Sequence, residues 1–191
     1  MKRIYWLMLI LSSASYFSCK EKKGKNNFIS ALSYINSQVK HVDTSLYFII
    51  KAEKMGTDTT WDTSYVKREE FRGLAKDFLE IPDITNYSIG KNYKEDTIYD
   101  ADLNRVLIIY EPVKDDQEIL REEFVVAPGD TAFDKMRSVI IEKLKDHKDS
   151  TIHQRLLWQT DEKFQVVTII EKKGETVFTK TMEVTWNKRE D

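Results

Sequence analysis

From Phe178 to Trp186 the chain alternates. Phe178, Met182, Val184 and Trp186 fall on one side of an extended backbone, with Thr179, Thr181, Glu183 and Thr185 on the other. Successive side chains of a strand point to opposite faces, so this pattern specifies a strand with one buried and one wet face. Such a strand needs partners beside it and a cover for its apolar side. Related patterns recur. In 150–159, Ile152, Leu156 and Trp158 alternate with His153, Arg155 and Leu157. In 118–127, Leu120, Phe124 and Val126 share one face and Arg121 and Glu123 the other. Segments 86–94, 104–113, 164–172 and 175–187 complete a set of six predicted strands. Thr160-Asp161-Glu162 and Lys173-Gly174 read as hairpin turns, Lys114 to Gln117 as the turn before 118–127, and Pro128-Gly129 closes the first group.

Between these strands the spacing changes to three and four. Ile29, Leu32, Ile35, Val39 and Val42 predict a helix from about Asn27 to Val42, and Asp43-Thr44-Ser45 breaks it. Residues 46–55 fit helix or strand, and GTDTTWDTS after them reads as a polar loop or an irregular strand. Trp61 within it is either a core residue or an exposed contact. Phe71, Leu74, Ala75 and Phe78 give 68–80 one apolar stripe, with Glu69 and Glu70 in the first turn and Pro82-Asp83 beyond its end. A further helix is predicted over 132–147, capped by Asp130-Thr131 with Asp134, its face made of Phe133, Met136, Ile140 and Leu144. Residues 68–127 and 132–187 then carry the same order of elements and read as a duplicated αβββ unit. Each half is small for a core of its own. The expected fold is therefore α+β, a single domain over 27–191, with antiparallel sheet and helices packed on one face.

Composition narrows the class. The chain has 191 residues, 41% apolar and 32% charged, with 6 glycines and 3 prolines, so low-complexity segments are not expected. Net charge is −2, which supplies no electrostatic reason for nucleic-acid binding. A single cysteine, Cys19, excludes an internal disulfide.

Cys19 also has a telling position. Met1-Lys2-Arg3 is a short cationic start, Ile4 to Leu11 an unbroken apolar run, and Ser12 to Ser18 small and weakly polar apart from Tyr16 and Phe17. This is the order of a secretory signal, and the run is short of the roughly 20 residues a membrane span needs. The ending Tyr16-Phe17-Ser18-Cys19 resembles the lipobox of bacterial lipoproteins, over residues 1 to about 21. The box departs from the commonest pattern, which has leucine three places before the cysteine. The resemblance implies a signal peptide over 1–18 and a diacylglycerol on the Cys19 thiol. Lys20, in place of the aspartate associated with inner-membrane retention, implies the outer membrane; whether the protein faces the periplasm or the outside stays open. The segment KEKKGKN after the cysteine would tether the body within about 25 Å of its membrane, with lysines that either meet anionic head groups or keep the tether solvated. Residues 19–26 thus read as lipidated cysteine and basic tether.

Chemistry is sparse elsewhere. His147 and His153 lie near Asp146 and Asp149, but His147 at a predicted helix C-terminus has a dipole reason to be there, so a structural role is expected rather than metal. His41 is expected to be exposed. Glu122-Glu123 and Asp115-Asp116 read as solvated faces, since adjacent strand residues point apart. HExxH, paired cysteines, GxSxG and a glycine-rich phosphate loop are absent from the sequence. Trp158 and Trp186 are expected in the core, as are most of Tyr47, Tyr65, Tyr87, Tyr93, Tyr99 and Tyr110. No cofactor, metal or catalytic residue is expected. The sequence points to a membrane-anchored envelope lipoprotein with a non-enzymatic binding or structural role toward an envelope partner. The alternative is a carrier of an apolar ligand such as lipid.

Overall fold

The computed structural model describes residues 27–114, 116–128 and 135–187. Cys19, the predicted signal and tether, the Asp130-Thr131 cap and Phe133 lie outside the described residues. Among the described residues nine strands form one antiparallel sheet in the order β2-β1-β9-β8-β7-β6-β5-β4-β3. They are β1 (Ile49–Met55), β2 (Asp62–Val66), β3 (Tyr93–Asp100), β4 (Arg105–Pro112), β5 (Ile119–Val126), β6 (Met136–His147), β7 (Ser150–Gln159), β8 (Lys163–Lys172) and β9 (Phe178–Thr185). Strands β3 to β9 pair with their chain neighbours. The early β1–β2 hairpin joins the sheet beside the last strand, with Ile50 opposite Thr185.

Helix α1 (Ala31–Thr44) begins where the Ser30 hydroxyl accepts the Ser33 N–H at 3.0 Å. That hydroxyl also donates to Asp83 at 3.0 Å, so one serine fixes both the helix start and the loop after the next helices. Farther along, the Tyr34 hydroxyl meets Thr160 at 2.6 Å and the Gln38 side chain accepts from the Asp161 N–H, tying α1 to the β7–β8 turn. Asp161 takes a positive φ of 56° there, a conformation aspartate tolerates in tight turns. The predicted helix 68–80 is two pieces, α2 (Arg68–Leu74) and α3 (Lys76–Leu79), divided at buried Ala75.

A single buried cluster gathers Ile35, Val39 and Val42 of α1, Phe71 and Phe78 of α2 and α3, and Trp158, Phe164, Val184 and Trp186. Phe78 meets Trp158 edge-on with ring centres 5.2 Å apart, and Phe71 meets Trp186 likewise at 5.2 Å. Trp158 stacks on Phe164 across the β7–β8 pair. Aromatic pairs of these geometries add about 0.5–1.5 kcal/mol each beyond their area burial. On the opposite sheet face the Arg121 guanidinium bridges Glu111 and Glu123, both at 2.8 Å.

Two expectations are corrected, and one left open by the sequence is resolved. Residues 136–147 form β6, not a helix, so the second αβββ unit lacks its helix there and the duplication fails. Met136 and Val139, three apart, are both buried because the register is irregular, Val126 facing Met136 while Val125 faces Ser138; Ile140 and Leu144 fall on the other face. After that irregularity Val139 and Ile141 point inward. Segment 86–94 is not one strand. The Asn86 side chain accepts from the Ser88 N–H and starts a helical turn, α4 (Tyr87–Gly90), which postpones β3 to Tyr93. Residues 46–55, which fit either element by sequence, are strand from Ile49.

Candidate functional site

The predicted site residue Cys19 lies outside the described residues. The histidines do not converge: in the β6–β7 ladder His147 faces Ser150 while His153 faces Leu144, which puts them on opposite sides of the sheet. His147 ends a strand, so the helix-dipole reason for it falls. Asp146 instead accepts the Thr151 hydroxyl at 2.8 Å. Among the described residues no group of three or more histidine, cysteine, aspartate or glutamate side chains could hold a metal ion.

The tyrosine expectation is corrected. Tyr93 and Tyr110 are buried, Tyr47 is half-buried, and Tyr65, Tyr87 and Tyr99 are exposed. Trp158 and Trp186 are buried as expected. Trp61 is 42% exposed, with the Lys54 ammonium 5.1 Å from its ring centre.

Glu122 is likewise not solvated. It is 1% exposed, and its Oε2 has no hydrogen-bond partner among the described residues. A register shift between Ile119 and Arg121 turns Glu122, with Phe124, toward the core. Burial, and secondarily the Asp83 carboxylate, pushes its pKa up to about 8, so the side chain is a neutral acid at pH 7. Tyr93, whose hydroxyl donates to the Ile119 carbonyl at 3.0 Å, is pushed up to about 12 by burial and by Glu122. Tyr110, raised mainly by burial, accepts the Ile29 N–H at 3.0 Å. Glu122 thus lies inside the core, close to solvent-shielded Tyr93 and Tyr110.

A surface site arises where α1 ends. The Ser45 N–H bonds back to the Val42 carbonyl and stops the helix. The chain then runs extended into β1. Tyr47 packs against the core and Ile49 is buried, so alternation turns Leu46 and Phe48 the other way. They are 90% and 82% exposed. Tyr65, opposite Ile50 in the β1–β2 pair, is 79% exposed. This stretch flanks a groove of about 750 Å³ lined by Leu46, Phe48, Ile50, Tyr65, Val66 and Arg68. A second depression of about 280 Å³ lies across the same ridge, toward Thr185, Trp186 and Asn187. The Arg68 Nε is buried and has no hydrogen-bond partner, and the guanidinium makes no ion pair among the described residues. An orphaned buried donor costs about 1–3 kcal/mol.

Sequence reasoning misses the groove because Leu46 and Ile49 continue the helical spacing of α1. The signal that marks it is Ser45, a helix-stopping residue followed by the dense run LYFII. No protein-family model, curated protein or solved structure matches the chain.

Proposed function

We propose that the chain is a cell-envelope lipoprotein, held to a membrane through an acylated Cys19, whose body has a non-enzymatic binding role. The observation that carries the anchor is the sole cysteine standing where an apolar run and a small-residue stretch end. Lys20 after it favours the outer membrane. Among the described residues no helix is long and apolar enough to cross a membrane. In this reading the helices form one layer on a single face of the sheet, supported by the cluster that α1, α2 and α3 share with Trp158 and Trp186. The tether then meets the body at the start of α1 and the groove opens at its end. The 14 residues of α1 separate the two by about 21 Å.

Growth with a radiolabelled fatty acid tests the anchor. The wild-type chain is expected to take up label and Cys19→Ala none. An unlabelled wild-type chain would refute it.

A second reading, carriage of an apolar ligand, is favoured by the exposed groove. The buried aromatic cluster fills the space where helices and sheet meet, so a carried ligand would sit at the β1–β2 edge and not between the layers.

A further inference from the structure

Most of the groove wall is hydrocarbon or aromatic ring, and Arg68 is the exception. A guanidinium offers five donors in a planar fork that matches a carboxylate or phosphate. Here none of those donors has a partner within the described residues, and Nε is buried from water. A cation so placed supplies charge complementarity to an anion that arrives with its own apolar body. The volume, about 750 Å³, lies within the roughly 300–1,000 Å³ of small-molecule sites. The large exposed side chains Leu46 and Phe48 stand on the ridge between groove and second depression, where they can fold over an aliphatic chain.

We propose that this groove binds one single-chain anionic amphiphile at a time, a long-chain carboxylic acid, with its head on Arg68 and its tail along Leu46, Phe48 and Tyr65. A flat bilayer surface is the other occupant such a ridge suggests. Exposed Lys67, Glu69 and Glu70 flank Arg68, so the flanking charges give a flat anionic leaflet little net attraction, whereas one head group can enter the groove and reach the guanidinium. This inference rests on the body being a binding module and is independent of the anchor.

The test uses the full chain carrying Cys19→Ala, so that no covalent acyl group contributes. It is titrated with the fluorescent fatty acid cis-parinaric acid, and hexadecanoic acid and hexadecanol then compete for the site. Saturable one-to-one binding is expected. Arg68→Gln should weaken competition by the acid about tenfold and leave the alcohol unchanged, because only the charged head uses the guanidinium. Phe48→Ser should weaken both, and at so exposed a position it leaves the fold intact even if Arg68→Gln does not. Absence of saturable binding overturns the proposal, as does equal competition by acid and alcohol in all variants. Sedimentation with phosphatidylglycerol vesicles in the absence of monomer binding also overturns it, in favour of a bilayer contact. Because no acyl chain is present, none of these failures touches the anchor, and an unacylated Cys19 would leave this site standing.

Discussion

Keeping Glu122 neutral links folding to pH. In the unfolded chain the carboxyl ionises near its ordinary value of 4.5, while in the folded protein it holds its proton up to about 8. Between these values the folded state binds more protons than the unfolded one, so this group makes stability fall as pH rises through that window. Glu122→Gln removes the dependence. Urea unfolding should show the variant gaining on the wild type from pH 5 to pH 8, by at most about 1.4 kcal/mol for each step of one in pH. An identical pH slope in both proteins would contradict the assignment. Lys143, buried on the same sheet face, makes no ion pair among the described residues that would relieve Glu122. The sequence hides this residue because Glu123 beside it is a half-buried, ion-paired acid on the other face. Adjacent acids on a strand do point apart, but which of them points inward depends on the register shift at Leu120, which no residue type announces.

At the scale of elements, regular alternation makes strands legible. Segments 104–113, 118–127, 150–159, 164–172 and the end of 175–187 sit within a few residues of β4, β5, β7, β8 and β9, since each is paired on both sides and shows one face to the core. β6 escapes because its register break puts Met136 and Val139 three apart on the inner face, while Ile140 and Leu144 are four apart on the outer face, and together these spacings imitate a helix. Helix α1 is legible by its stripe, but its cap is not: Ser30 matters because it reaches Asp83, fifty-three positions away in the chain. Ser30→Ala should therefore cost about 1 kcal/mol or somewhat more, since it removes both the cap and the link to Asp83. A midpoint in urea indistinguishable from wild type would show that the cap carries no stability. The groove is hidden for a related reason. Leu46 keeps the period of α1, and only Ser45 ending the helix turns it outward.

For the whole molecule, one sheet closes the chain on itself, with the first hairpin paired to the last strand and α1 spanning from the loop at Asp83 to the turn at Asp161. That arrangement sets the start of the described body, where the proposed tether would join, and the groove at opposite ends of one helix. Neither the β1–β9 pairing nor this polarity is legible in sequence, because both depend on contacts between distant segments. The proposed anchor is the reverse case: it is read from residues 1–19 and owes nothing to the fold. It is also the claim on which the cellular role turns. Intact-mass measurement of the membrane-extracted protein, beside Cys19→Ala, tests it most directly. The account predicts a chain that begins at Cys19 and carries added acyl mass, with that mass lost in the variant. A chain cleaved but unmodified would contradict it, and would make the protein a free secreted body with its groove open to solvent.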